Sequence, residues 1–218
     1  MTKKPKVTAI IAAAGTSSRM GFPKLLHNIN SERSVLSLSI EAICKNELVD
    51  ALVVVTKEEF FDFAKNECEK YTFGKPYFIV KGADTRQESV KNGVLASPVD
   101  TEFFLVHDAA RPFVTDKEIT AVINDAFLFG GAILAVPVKD TIKVAKDFTV
   151  TATPKRSTLF SAHTPQVFSA EIYKKALERE NLSDFTDDAS LVESIGEKVH
   201  LTIGEYTNKK ITTIEDLS

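Results

Sequence analysis

Apolar residues in this chain gather in short unbroken runs and do not alternate with polar ones. Val7–Ala14, Ala51–Thr56, Tyr77–Val80, Glu102–Val106 and Ala132–Val136 are partly β-branched or aromatic. Such runs predict strands buried on both faces. Between them the period changes. Phe60, Phe63 and Ala64, and then Ile119, Val122, Ile123 and Ala126, follow the i, i+3, i+4, i+7 spacing of a single apolar stripe along a helix. Three intervening segments open on a threonine followed three residues later by a glutamate, at Thr56/Glu59, Thr85/Glu88 and Thr115/Glu118. In a capping box each side chain satisfies a backbone N–H that the first helical turn leaves free. Strands alternating with capped helices predict right-handed βαβ crossovers, hence an α/β fold with a mostly parallel twisted sheet flanked by helices. Ligands of such sheets bind beyond the carboxyl ends of the strands.

The rhythm breaks after Val136. Over residues 137–156 two strand-like stretches, Val138–Val144 and Phe148–Thr153, face each other across Lys146-Asp147 with no helix to cover them. A lone two-stranded arm is marginal in water, so this protruding β-arm is expected to pack against another subunit. The βαβ pattern returns with helices near Ser169–Arg179 and Thr186–Ile195 and a strand near Val199–Ile203.

With 218 residues, 44% of them hydrophobic, the chain is long enough for one sizeable core, and a single domain over 1–218 is expected. A net charge of -3 gives no bulk reason to expect nucleic acid or an anionic membrane as partner. An anionic ligand must then be held by local charge. Cys44 and Cys68 fit neither a disulfide framework nor zinc spacing and read as reduced cysteines on helices of a cytoplasmic protein. Lys3, Lys4 and Lys6 before Val7–Ala14 mimic a short signal peptide, but a buried first strand explains the run better. No stretch approaches the ~20 apolar residues of a membrane span.

The first strand closes on Ala12-Ala13-Ala14-Gly15-Thr16-Ser17-Ser18-Arg19-Met20-Gly21, followed at once by Phe22-Pro23-Lys24. Small residues and a glycine let backbone N–H groups approach a polyphosphate, with Arg19 and Lys24 as fixed positive charge on either side. It is neither a P-loop nor a dinucleotide fingerprint, and alone it also reads as a turn with two solvated cations. A second strand ends in Val106-His107-Asp108-Ala109-Ala110-Arg111-Pro112. Magnesium takes hard oxygen ligands, commonly one or two carboxylates plus nucleotide phosphates, which makes Asp108 a candidate ligand. By itself Asp108 is equally an Asx turn before Pro112. His27, His107, His163 and His200 lack metal-ligand spacing and read as structural or surface residues.

A third set matches no general template: Pro137–Lys143, Arg156, His163-Thr164-Pro165-Gln166, Phe185-Thr186-Asp187-Asp188-Ala189-Ser190, and Asn208-Lys209-Lys210-Ile211-Thr212. The opening motif resembles that of the Rossmann-like nucleotidyltransferases, small-Gly-x-Gly-x-Arg-Met and then Pro-Lys, with Ser17 where a second glycine is common. In order and spacing the whole set resembles the 2-C-methyl-D-erythritol 4-phosphate cytidylyltransferases, from Val7 to Leu217.

The resemblance implies a CTP site lined by Ala13, Ala14, Gly15, Arg19, Lys24, Gly82, Ser89, Asp108 and Ala109, with Mg2+ or another divalent cation on Asp108. It implies that Asp108, Arg111, Thr141, Arg156, Thr164, Thr186 and Lys210 hold a polyol phosphate acceptor. Arg19, Lys24, Arg156 and Lys210 would be the catalytic cations. Lys210 rather than Lys209 follows from an Asn-x-Lys-x-Thr pattern. A homodimer is also implied, in which the arm carries Thr141 and Arg156 to the neighbour's site. The family continues into a final helix after a segment like Thr213–Leu217, so with Ser218 last that helix is expected to be missing or shortened.

Transfer of CMP to the acceptor phosphate needs no general base, since the nucleophile is already an anion. A ribitol-5-phosphate cytidylyltransferase of cell-wall synthesis would share fold, donor and chemistry, and Ala110 and Lys143 favour the isoprenoid enzyme over it. A CTP-binding module without turnover is the other alternative, and the presence of both Arg19 and Lys24 speaks against it.

Overall fold

The computed structural model describes residues 4–15, 23–29 and 33–217. The predicted alternation is realised as β1 (Val7–Ala12), α1 (Val35–Lys45), β2 (Val49–Thr56), α2 (Phe61–Tyr71), β3 (Tyr77–Lys81), α3 (Arg86–Leu95), β4 (Phe103–Asp108), α4 (Asp116–Phe129) and β5 (Gly131–Pro137). Strands β1 to β4 are parallel and lie in the order β3-β2-β1-β4. The chain places β2 and β3 on one side of β1, then returns through α3 to put β4 on the other. Strand order therefore reverses at the β1–β4 junction, where Ala12 pairs with Asp108, and such a reversal opens a crevice beyond the strand ends.

Because successive side chains point to opposite faces, the continuous apolar runs feed two cores. Val7, Ala9 and Ile11 pack with Ile40 of α1, Cys68 of α2 and Ile123 of α4. Ile10, Val53 and Val55 pack on the other face with Val90 of α3, and with α5 (Ala170–Ala176) and α6 (Asp188–Glu193) through Tyr173 and Leu191. Both late helices are shorter than the stretches expected for them. Cys44 and Cys68 are free and buried, and burial pushes each thiol pKa up to about 12.

Thr85/Glu88 and Thr115/Glu118 form the expected capping boxes. Thr56 does not. It is the buried last residue of β2, and its hydroxyl reaches the Ala13 carbonyl at 3.4 Å. A 3-10 turn at Glu58–Phe60 follows, and α2 starts at Phe61 without a side-chain cap. The sheet claims this threonine, so it is not available to cap a helix.

No apolar run announces β8 (Phe160–Ser169), which inserts antiparallel between β4 and β5. Parallel β9 (His200–Ile203) completes seven strands beside β5. The arm is a hairpin of β6 (Val144–Lys146) and β7 (Thr149–Ala152), narrower than the stretches 138–144 and 148–153. Its turn falls at Asp147 and Phe148, with φ of 48° and 59°, the left-handed pair of a two-residue hairpin turn. All seven strand residues of the arm are exposed. Among the described residues no helix is long and apolar enough to cross a membrane.

Candidate active site

The crevice at the strand reversal is a cleft of about 600 Å³, lined by the turn after β1, the β3–α3 loop, the first turn of α3 and the end of β4. Lys24, Lys57, Glu58, Lys210 and Thr212 also stand on its wall. Gly82 lets the end of β3 close on the turn after β1: a Cβ there would lie 2.3 Å from Ala14 Cβ. The Gly82 N–H donates to the Thr56 carbonyl at 2.9 Å, and the Ala13 N–H to that of Val55 at 2.8 Å. The Ser89 hydroxyl accepts from the Ala83 N–H at 2.9 Å, tying the loop to α3. Thr85, Arg86 and Ser89 face the cleft, so the helix N-terminus adds to its attraction for an anion.

Asp108 is the centre of charge. Its Oδ1 accepts from Arg86 Nε at 3.2 Å and its Oδ2 from Lys210 Nζ at 2.7 Å. Burial raises the Asp108 pKa, but Arg86 and Lys210 outweigh it and hold the carboxyl well below its ordinary range. Its side chain is thus committed to an ionic site and not to an Asx turn. Arg86 also reaches Asp188 Oδ2 at 2.8 Å, and the Tyr173 hydroxyl donates to Asp188 Oδ1 at 2.6 Å. Lys24 Nζ donates to the Ile211 carbonyl at 2.9 Å. Cations Lys24, Lys57, Lys81, Arg86 and Lys210 outnumber carboxylates Glu58, Asp84 and Asp108 on the wall. An acidic chain therefore presents a locally positive cleft.

Ala14, Gly15, Lys24, Gly82, Ser89, Asp108 and Lys210 come together on this wall. Ala13 and Ala109 are buried behind it, and the Ala109 N–H donates to the Ala12 carbonyl at 3.2 Å. Thr164 and Arg111 form a buried layer beside Asp108. Thr164 Oγ1 accepts from the Asp108 N–H at 3.0 Å, and Arg111 donates to the Asn208 carbonyl at 2.7 Å. His107 is structural here: it bonds Thr164 Oγ1 and the Arg111 carbonyl, each at 3.1 Å. Burial takes its pKa down to about 4.

Thr186 is exposed and stands just before Asp187, the cap of α6. Thr141 and Arg156 are exposed near the arm and do not line the cleft, and Arg156 donates to the Lys139 carbonyl at 2.9 Å. Arg19 lies outside the described residues, as do Thr16–Met20, Gly21 and Phe22.

Among the described residues no group of three or more His, Cys, Asp or Glu could hold a metal ion. The described residues offer no cage of their own. A lone carboxylate with lone pairs to spare still suits Mg2+, which brings most of its oxygens from water and phosphate.

Sequence reasoning missed Arg86, Lys57, Lys81 and Asp188. For Arg86 a signal existed, because it occupies the first helical position of α3, where the helix dipole disfavours a cation. An arginine there needs counter-charges from elsewhere in the fold.

The family model described as IspD, 2-C-methyl-D-erythritol 4-phosphate cytidylyltransferase, matches residues 7–218. The chain is 44% identical over 220 residues to the 2-C-methyl-D-erythritol 4-phosphate cytidylyltransferase of Caldanaerobacter subterraneus subsp. tengcongensis, covering 97% of this chain and 95% of that protein. It is 42% identical to the protein of the same name from Clostridium novyi, covering 97% and 94%. Among solved structures, the 4-diphosphocytidyl-2C-methyl-D-erythritol synthase of Anaerococcus prevotii superposes with a TM-score of 0.87 at 31% identity, covering 98% of this chain and 93% of that one.

Proposed function

The chain belongs to the 2-C-methyl-D-erythritol 4-phosphate cytidylyltransferase family, and we propose that the cleft at the β1–β4 junction is where its two substrates meet. The protein is a nucleotidyltransferase. It transfers CMP from CTP to 2-C-methyl-D-erythritol 4-phosphate, giving 4-diphosphocytidyl-2-C-methyl-D-erythritol and pyrophosphate in non-mevalonate isoprenoid precursor synthesis.

An acceptor phosphate oxygen attacks the α-phosphorus of CTP, and the bond to the β-phosphate oxygen breaks in line, its electron pair leaving with pyrophosphate. No proton need be removed from the nucleophile. The obstacle is repulsion, since two like unit charges at 4 Å cost ~4 kcal/mol at an effective dielectric of 20. Lys24, Arg86 and Lys210 on the cleft wall offset it by fixed charge that needs no reorganisation during reaction. Arg19 is assigned to the transferring group and Arg156 to the acceptor phosphate on the family resemblance. Mg2+ bound by Asp108 and the triphosphate would neutralise further charge. Gly15, Gly82, Ser89 and the α3 N-terminus receive the nucleotide in this reading, with Thr164, Thr186 and Arg111 on the acceptor side.

The observation that carries the reading is Asp108 bracketed by Arg86 and Lys210 at the strand reversal. The reading includes a single domain over 1–218 and a homodimer through the 137–156 arm. Support for the dimer comes from the uncovered arm strands and from Thr141 and Arg156 lying off the wall of their own chain's cleft. A cytoplasmic location accords with two unpaired cysteines.

Pyrophosphate release from CTP, measured in parallel with 2-C-methyl-D-erythritol 4-phosphate and with ribitol 5-phosphate, tests the assignment. Turnover with the first and little with the second is expected. A preference for ribitol 5-phosphate, or CTP binding without turnover, would reject it.

A further inference from the structure

The first turn of α3 touches more than the nucleotide cleft. Arg86 spans two carboxylates, its Nε on Asp108 of β4 and a terminal nitrogen on Asp188 of α6. Gln87, also buried, donates its Nε2 to the Phe185 carbonyl at 2.5 Å. The two contacts flank Thr186. A third tie comes from β8, where Gln166 donates to Asp187 Oδ2 and accepts from the Ala189 N–H, each at 2.9 Å.

A buried ion pair is a poor way to gain stability, because desolvation offsets the attraction. Asp188 is 0% exposed, and an apolar pair would join α3 to α6 at less cost. What the pair does supply is a fixed meeting point, since one guanidinium holds Asp108 through its Nε and lies 2.8 Å from Asp188 Oδ2 through a terminal nitrogen, joining α3, β4 and α6.

From this geometry we infer that Asp188 and Gln87 are positioning residues for the acceptor, setting Thr186 relative to the nucleotide cleft through Arg86 and the Phe185 carbonyl. The inference rests on the reading of the cleft as the CTP site and of Thr186 as an acceptor contact. It predicts an asymmetry. Asp188→Asn releases the α6 end of Arg86 but leaves the Arg86–Asp108 contact, so the donor half of the site survives and the acceptor half loosens. Gln87→Met, of similar shape, frees the other flank of Thr186 without touching any charge.

The test is steady-state kinetics of the purified full-length enzyme with each substrate varied in turn, for wild type, Asp188→Asn, Asp188→Glu and Gln87→Met. Loss of one charge-assisted contact should raise the acceptor KM about tenfold in Asp188→Asn and less in Gln87→Met, with the CTP KM changed by less than about twofold. Asp188→Glu should recover part of the loss. Equal shifts in both KM values would overturn the inference, as would a lowered melting temperature with neither KM changed. Should Asp188→Asn fail to fold, Gln87→Met alone decides between these outcomes. A Lys24→Ala control with near-normal turnover would instead fault the cleft reading and remove the inference with it.

Discussion

Replacing Gly82 by alanine is a steric probe of how the cleft is built. Gly82 has no left-handed backbone to lose, and the added Cβ would stand 2.3 Å from Ala14 Cβ, with Ser89 Oγ next at 3.1 Å. Carbon atoms in contact settle at about 3.5–4.0 Å, so the β3 end and the turn after β1 must part by more than about 1 Å. Overpacking of this kind costs about 1–3 kcal/mol. For a chain of this length each kcal/mol lowers Tm by about 2–4 °C. The larger effect falls on turnover, because a misplacement of about 1 Å between reacting groups costs on the order of 10² in rate. Calorimetry and kcat/KM for CTP measure the two effects. The compensating change is Ala14→Gly, which removes the atom struck, so the double variant should recover most of both losses, with the Ser89 contact remaining. Wild-type kinetics in Gly82→Ala, or no recovery in the double variant, would refute the packing argument.

Lys24→Ala should lower turnover by on the order of 10²–10³ with little change in Tm, the loss of one charge-stabilising contact; near-normal kcat would remove Lys24 from the mechanism. If the arm reaches a neighbour's cleft, a doubly tagged dimer of one Lys24→Ala and one Arg156→Ala chain has one whole site and should show about half the wild-type activity under isologous pairing. A mixed species as inactive as its parents would place Arg156 in its own chain's site. His163 has its pKa lowered to about 4, first by burial and then by Arg111, against a raising influence of Glu118. Its unfolded form binds the proton more readily, so it favours folding above about pH 6.5 and loses that contribution as the pH falls towards 4. Tm measured across this range should fall less steeply in His163→Asn; an identical slope would show that His163 does not titrate on unfolding.

The sequence by itself determined what depends on near neighbours. Five apolar runs became β1 to β5, and in β1, β2, β4 and β5 the continuous burial written in consecutive residues is realised. Strand β3 falls at the sheet edge, where Phe78 is exposed, so its run is covered less than the pattern predicts. The boxes at Thr85 and Thr115 formed because cap and partner are three residues apart. Ala14, Gly15, Lys24 and Asp108 stand in motifs that end strands or follow them, Gly82 and Lys210 were marked only by the family resemblance, and the fold gathers all six on one cleft wall. Tertiary structure alone decided the rest. Thr56 was taken by the sheet through Ala13, 43 positions away, and so could not cap α2. The strand β8 owes its place to β4 and β5, not to its own pattern, whose first three residues, Phe160, Ser161 and Ala162, are exposed. Arg86 is an ordinary helix-surface residue until β4 brings Asp108 and α6 brings Asp188 against it. Counter-charges from distant segments exist only once the chain has closed its loops, and no local pattern encodes them.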